Sequence, residues 1–253
     1  MKQLFAIETN ERLPSLQSTG NRLFQQLITY KDKLHKEFEL IEVPSAVIWT
    51  TADLATSTFS EIPIPAFTSR NMIIMSPDME EWKRLFKMQL EEKNLPEVQF
   101  FYENLSENHI LVILAHELTH HIDLFPDEFE EYGDSIWFEE GMCFYLPRKL
   151  LLTETEFTTI TEVEERLVQE FESKHGQHDL EEFGSSAYEG SLTSIMYDYW
   201  RSYLRVKQLV EGPAKGDVHT VFKWYNEWHQ TGKALSFTMY LLLNPRINLH
   251  NTI

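Results

Sequence analysis

The sequence has little of what secreted and membrane-spanning proteins are built from. Its 253 residues include one cysteine, Cys143, so an intramolecular disulfide is excluded. Its apolar runs, such as ILVILA, are far shorter than the ~18 residues that a membrane span requires. The amino-terminal residues are too polar for the apolar core of a secretory signal. We therefore expect a cytoplasmic protein with no signal peptide and no transmembrane segment.

Positive charge is also scarce. The chain has 22 Lys and Arg residues against 40 Asp and Glu residues, which gives a formal net charge of -18. Such a surplus of negative charge repels both phosphate backbones and anionic lipid surfaces. We therefore expect neither a nucleic acid nor a membrane as a partner.

The order of sequence patterns predicts an α+β fold. A helical stripe in the first 40 residues is formed by Leu23, Leu27, Tyr30 and Leu34. Three short β-type stretches follow, and the prolines of the middle one favour an edge position in a sheet. From residue 106 onward almost every pattern is helical. The stretches of β type are SAVIWTT, EIPIPAF and NMIIMS.

These patterns divide the chain into two parts that together form one unit. We place an N-terminal helix, a small mixed β-sheet and a histidine-bearing helix in residues 1–122. Residues 123–253 form a mainly α-helical subdomain. A cleft between two such halves is a common place for a functional site, so we expect the site there.

The strongest chemical signal is the sequence HELTH inside an apolar helix. His116 and His120 lie about 40° apart around a helix, one turn from each other, so both imidazoles can bind one metal ion. Glu117 is rotated by about 100° from His116 and is suited to act as a general base toward water. Zinc fits this pattern, because a catalytic zinc takes three protein ligands and leaves one position open.

The third ligand is expected in the following helix, which contains the sequence WFEEG. Both Glu139 and Glu140 are candidates from their position alone. His121 points away from the face that carries His116 and His120, so we interpret it as a neighbour of the site. We interpret Cys143 as a small residue of the core.

The pattern H-E-x-x-H followed by W-x-x-E-G resembles the gluzincin metallopeptidases, the group of thermolysin and the alanyl-aminopeptidases. The resemblance covers roughly residues 45 to 210 and implies a zincin-like catalytic domain. In the aminopeptidase branch the zinc-binding glutamate precedes the glycine of the second motif, which implies Glu140 as the third ligand. Glu140 stands 20 positions after His120 (140 − 120), a separation that thermolysin-like members share.

The resemblance also implies residues around the ligands. Glu139 takes the place of a polar residue that orients a ligand histidine, and Asp123 is a second candidate for that role. A thermolysin-type aspartate is missing, because Phe144 occupies its position. A tyrosine just ahead of a glycine is the oxyanion donor in the aminopeptidase branch, which implies Tyr188, with Tyr197 as the alternative.

The resemblance does not extend to aminopeptidase specificity. That branch binds the free amine of its substrate through a glutamate in a Gly-x-Met-Glu-Asn motif. The comparable stretch of this chain, IPAFTSRNMIIM, has no glutamate. An edge strand there could still pair with an extended peptide through main-chain hydrogen bonds.

The sequence therefore predicts a peptidase that hydrolyses peptide or protein substrates with one Zn²⁺ ion. The alternative from another class is a catalytically inactive zinc-binding module on the same fold, with a peptide-recognition or regulatory role. The intact Glu117 favours the enzyme, because a structural metal site needs only ligands. A third hypothesis is a helical interaction protein in which the motif is accidental.

Overall fold

A computed structural model describes the fold of most of the chain. The described residues are 1–8, 11–60, 62–69, 71–126, 135–184, 188 and 190–247. They form a mixed α/β structure with one four-stranded sheet and many helices, which confirms the α+β prediction at this level. The chain divides into two compact units, which are Met1–Asp123 with Leu146–Thr155 and Leu124–Tyr145 with Glu156–Ile253.

The sheet belongs to the first unit and mixes parallel and antiparallel pairs. Its strands lie in the order β1-β2-β4-β3. The pairs β1–β2 and β2–β4 are parallel, and β3–β4 is antiparallel. The strands are β1 (Lys2–Ala6), β2 (Ala46–Thr50), β3 (Ala66–Ser69) and β4 (Met72–Met75).

Three of these strands overlap the predicted β-type stretches. Pro63 and Pro65 precede β3, which lies at the edge of the sheet as predicted. The sequence patterns did not predict β1. In that strand the apolar Leu4 is 54% exposed, whereas the polar Gln3 accepts a hydrogen bond from the indole N–H of Trp49. At these two positions the polar residue is therefore less exposed than the apolar one.

The first helix of the first unit is long and packs against the sheet, where its Gly20 lies next to Phe5 and Trp49. The predicted stripe is confirmed, because Leu23, Leu27, Tyr30 and Leu34 are each 0% exposed. The helix begins earlier than the stripe, at Leu13. The elements are α1 (Leu13–Glu37), α2 (Ala52–Leu54) with a π-helical turn (Ala55–Phe59), α3 (Met79–Met88), α4 (Pro96–Glu103) and α5 (Glu107–Thr119).

Helix α5 and its C-cap residue carry the histidines, and the sequence predicts Ser106 as the cap at its start. Ser106 is the N-cap residue, and its backbone N–H and hydroxyl lie 3.3 and 3.0 Å from Nδ1 of His109. The sequence pattern predicts a helix that continues to Phe125, before Pro126, but the helix ends at Thr119. His120 is the C-cap residue and still follows the helical path, with φ −56° and ψ −16°.

The regular elements of the described chain after α5 are all helices or helical turns. The sequence predicts Asp134 or Ser135 as the N-cap of the helix that contains WFEEG. Asp134 lies outside the described residues, and Ser135 donates a hydrogen bond to Glu181 (2.8 Å). Among the described residues, no helix combines the length and apolarity needed to cross a membrane. The elements are α6 (Ile136–Leu151), α7 (Glu154–His175), a 3₁₀ turn (Leu180–Glu182), α8 (Leu192–Glu211), α9 (Val218–Gln230) and α10 (Phe237–Leu243).

An aromatic cluster in the second unit holds the first turn of α6. The ring of Phe138 stacks on Tyr225 with centroids 4.2 Å apart, and it meets the edge of Phe237 at 5.2 Å. Trp137 stacks on Phe237 at 5.7 Å. Trp137 and Phe138 are both 0% exposed. Because these ring contacts fix the first turn of α6, they also restrict the positions of the next two residues of the helix, Glu139 and Glu140.

Helices α6 and α8 approach each other so closely that only glycine fits at the contact. A Cβ atom on Gly141 would lie 2.3 Å from the carbonyl oxygen of Ser202 and 2.6 Å from a methyl group of Val206. The first contact is with main chain, which no side-chain rotation can relieve. The glycine that follows Glu140 is therefore a packing requirement of this pair of helices.

We predict that Gly141→Ala destabilises the protein. Alanine gains about 1 kcal/mol over glycine in a helix interior, but overpacking a tight contact costs roughly 1–3 kcal/mol. The clash with the Ser202 carbonyl puts the cost at the upper end, so the net effect is unfavourable. Urea denaturation measures the loss of unfolding free energy.

The matched control for this prediction is Gly184→Ala. A Cβ atom there would meet its nearest neighbour, the carbonyl oxygen of Glu182, at an ordinary 3.8 Å. We expect the control to unfold like the wild type. Equal unfolding free energies of the Gly141→Ala variant and the wild type would contradict the prediction, because they would show that α6 and α8 can move slightly apart without loss of stability.

Candidate metal centre

The two histidines of α5 point their Nε2 atoms at each other. The Nε2 atoms of His116 and His120 are 3.1 Å apart, and the ring centroids are 4.9 Å apart at an interplanar angle of 76°. Two nitrogens that bind one tetrahedral zinc ion at about 2.0–2.1 Å lie roughly 3.3 Å from each other. The imidazoles are therefore already spaced as a pair of metal ligands.

A carboxylate completes the group. One ligand atom from each of His116, His120 and Glu140 lies within 4.8 Å of the other two. His116 and Glu140 are buried, and His120 is half-buried. Two imidazole nitrogens and one carboxylate oxygen suit several divalent transition metals, zinc among them. This buried His-His-Glu group could hold a metal ion.

Two tyrosine hydroxyls lie against the carboxylate of Glu140. The hydroxyl of Tyr188 donates to Oε1 of Glu140 (3.2 Å), and the hydroxyl of Tyr199 donates to the same oxygen (3.4 Å). The two hydroxyl oxygens are 3.0 Å from each other. The sequence-predicted Tyr188 therefore lies beside the third predicted ligand, together with a second tyrosine.

The sequence patterns did not single out Tyr199. Tyr197 and Tyr199 are two residues apart, so they point about 200° apart around α8. Tyr199 shares its face with Ser202, which contacts Gly141, and this face brings it to Glu140. The spacing between Tyr199 and Ser202 places both residues on one face of α8. The sequence alone does not show that this face is the one that meets α6.

The alternative tyrosine, Tyr197, lies beside the end of α7. Its ring centroid is 5.9 Å from that of His175, and the guanidinium of Arg201 stands over the ring at 5.4 Å. Burial raises the pKa of its hydroxyl. A Cβ atom on Gly176 would meet this hydroxyl at 2.9 Å, so Tyr197 is packed against the start of the segment that leads to Tyr188.

An ion-pair cluster ties the segment before Tyr188 to α8. Nε2 of His178 is 2.8 Å from Oδ1 of Asp198, and Arg201 is 3.4 Å from the same oxygen. Arg201 also donates to the carbonyl of His178 (3.2 Å). Burial raises the pKa of Asp198, and its interactions with His178 and Arg201 act against that shift.

The remaining sequence-predicted residues lie close to the ligands along the chain. Glu117 follows His116 in α5 and is only 7% exposed. Glu139 is half-buried and accepts a hydrogen bond of 3.5 Å from the hydroxyl of Tyr225. Asp123 is exposed, and its carboxylate accepts a hydrogen bond from the backbone N–H of Ile41 (3.0 Å).

His121, next to the predicted ligand His120, connects α5 to the sheet. Its Nε2 atom is 2.7 Å from the hydroxyl of Thr68 in the edge strand β3. Burial lowers the pKa of His121 to about 3, with a smaller contribution from neighbouring His120. His121 is therefore a neutral, hydrogen-bonded residue that fixes β3 to the end of the histidine helix.

Comparison with known proteins gave no matching family model, no matching curated protein and no matching solved structure. The functional argument therefore starts from the side chains of this protein and from the chemistry that their arrangement allows.

We predict that the isolated protein binds one equivalent of zinc and that His120→Ala abolishes this binding. The substitution removes one of three ligands, and the remaining two cannot make up a catalytic type of zinc site. Metal content after dialysis, measured by elemental analysis, and competition with a chromogenic chelator check the prediction. Saturating zinc raises the melting temperature of the wild type but not of the variant.

His121→Gln is the matched control, because its side-chain amide can still bond to Thr68 and its position is next to the same ligand. We expect it to keep wild-type zinc content. A wild type without metal whose melting is unchanged by chelator would contradict the metal centre and favour the helical interaction protein.

Proposed function

We propose that this protein is a zinc-dependent peptidase with a zincin-like catalytic domain of the gluzincin type. The observation that carries the proposal is the convergence of ligand atoms from His116, His120 and Glu140 to within 4.8 Å of one another. The ligand set has three members, which is the number that catalytic zinc sites use when one position is kept for reaction.

The chain supplies a general base next to this group. Glu117 is buried in the same helical turn as His116, so its carboxylate is shielded from bulk water. A zinc ion, when bound, acts as a Lewis acid and brings the pKa of water from about 15.7 toward about 7. In the proposed reaction Glu117 accepts a proton from water and later delivers it to the leaving amine.

Tyr188 is the proposed donor to the oxyanion of the reacting peptide carbonyl. Its hydroxyl bonds to Glu140, so it already lies at the edge of the ligand group. A positioned hydroxyl of this kind stabilises negative charge that develops only in the transition state. For this role, the hydroxyl of Tyr188 must leave the carboxylate of Glu140 and donate its hydrogen bond to the substrate oxygen instead.

The proposed substrate is an extended peptide that pairs with strand β3. This strand lies at the edge of the sheet and bonds to β4 on one side. The hydrogen bond between Thr68 and His121 fixes the strand beside the histidine helix. Main-chain pairing with such an edge accepts many sequences, so it favours a peptidase without a requirement for a free amino terminus.

We predict that Glu117→Gln keeps zinc bound while hydrolysis collapses. The substitution leaves all three ligands in place but removes the proton acceptor, and general-base catalysis contributes about 10²–10⁴-fold. Zinc content and the cleavage of fluorescein-labelled casein by the wild type and the variant check this. The control is Glu107→Gln, in the first turn of the same helix, where the acid pairs with Arg22 at the surface.

The outcomes of that experiment separate the hypotheses. Simultaneous loss of metal and hydrolysis in Glu117→Gln would contradict the assigned roles. A wild type that binds zinc and casein peptides but cleaves none of them would favour the inactive peptide-recognition or regulatory module.

We predict that Tyr188→Phe lowers kcat by about 10²–10³-fold, the cost of removing one oxyanion donor. KM and zinc content are expected to stay close to the wild type, because the phenyl ring keeps the packing and Tyr199 still bonds to Glu140. Steady-state kinetics on a quenched fluorescent peptide measure both constants. Full turnover by a zinc-loaded Tyr188→Phe enzyme would remove this tyrosine from the mechanism.

A further inference from the structure

Three oxygen atoms form a closed triangle at the carboxylate of Glu140. The hydroxyls of Tyr188 and Tyr199 are 3.0 Å apart, and they lie 3.2 and 3.4 Å from Oε1. Each hydroxyl carries one proton, so the triangle has two protons for three contacts. At any moment one of the three contacts therefore lacks a proton. The two protons can be redistributed among the three contacts without large movements of the oxygen atoms.

The two tyrosines differ in how they are held. The ring of Tyr199 lies 5.4 Å from Phe144 and 5.4 Å from Phe183, and its backbone is within α8. The contact between Gly141 and Ser202 fixes this part of α8 against α6. Tyr188 precedes α8, and its ring lies 6.1 Å from Phe183. Tyr199 is thus part of the rigid helix pair that also carries Glu140.

We propose that Tyr199 is a positioning residue that holds Glu140 when Tyr188 turns to the substrate. This inference rests on the proposed function, in which Tyr188 leaves Glu140 to donate to the oxyanion. Without Tyr199, that movement would leave Oε1 of a buried carboxylate with no tyrosine donor, and the loss of a donor to a buried acceptor is costly. With Tyr199 in place, Oε1 keeps a donor throughout, so the ligand carboxylate stays oriented.

The first arm of the test uses the metal-free protein and requires no activity. Thermal unfolding is measured for Tyr188→Phe, Tyr199→Phe and the double variant. Each single variant leaves one tyrosine donor on Oε1, whereas the double variant removes both. We therefore expect the decrease in melting temperature of the double variant to exceed the sum of the decreases in the two single variants. Additive losses would overturn the shared role.

Zinc affinity gives a second readout that is independent of turnover. Removal of groups that orient a metal ligand typically costs about 10–100-fold in metal affinity. We expect a loss of this size in the double variant and a loss of less than about threefold in each single variant. A tenfold loss in Tyr188→Phe alone would show that Tyr199 does not replace it.

The third arm separates positioning from a merely structural role. With the loaded enzyme and a quenched fluorescent peptide, Tyr199→Phe is expected to lower kcat about tenfold, the effect of one hydrogen bond to a charged group, and to leave KM unchanged. In the Tyr188→Phe background the same substitution should cost the zinc-loaded enzyme no further kcat, because no hydroxyl leaves Glu140 there and the loss of the Tyr199 donor weakens the ground state and the transition state alike. An equal loss in both backgrounds would overturn the proposal.

Tyr203→Phe is the matched control for all three arms. It lies one turn along α8 from Tyr199, and its buried hydroxyl bonds to Thr161 (2.6 Å) away from Glu140. Its effect on melting should add to that of each other variant. A wild type that cleaves no peptide would refute the proposed function alone, since the unfolding and zinc arms would still report whether the two hydroxyls share Glu140.

Discussion

The main-chain contact between Gly141 and Ser202 is the constraint on which the ligand environment depends. It allows α6 and α8 to lie closer together than any side chain would permit. Because Glu140 precedes the contact on one helix and Tyr199 lies three residues before it on the other, the approach brings carboxylate and hydroxyl within 3.4 Å. A small change at this point would alter the acceptor geometry of Glu140 without replacing Glu140 or Tyr199.

A second constraint acts on the histidines. Helix α5 starts at a fixed point because Ser106 and His109 cap it, and Thr119 anchors its end by bonding to the carbonyl of Ala115 (2.7 Å) and to the hydroxyl of Tyr30 (2.8 Å). His120 follows directly after this anchor. The backbone positions of the two histidines are therefore set by a helix that is held at both ends, and their Nε2 atoms lie 3.1 Å apart.

The sequence carried enough information for the local features but not for those that depend on tertiary contacts. The buried stripe of α1, the Ser106 cap and the pairing of His116 with His120 follow from helical periodicity and capping chemistry. The proximity of Glu140 to the two histidines was expected from the sequence WFEEG. Strand β1 was missed because Leu4 faces solvent, and Tyr199 was missed because one helix alone does not reveal which of its faces meets a neighbour.

The position of the histidines at the end of α5 has an electrostatic consequence. The last carbonyl groups of a helix have no partner within the helix, and their aligned dipoles give this terminus a partial negative charge. Positive charge gathered near a carboxyl-terminal turn is favoured by about 0.3–1 kcal/mol, and by more where solvent is excluded. Because the helix ends at Thr119, just before the second imidazole, its backbone would contribute to the affinity for a cation held by this group.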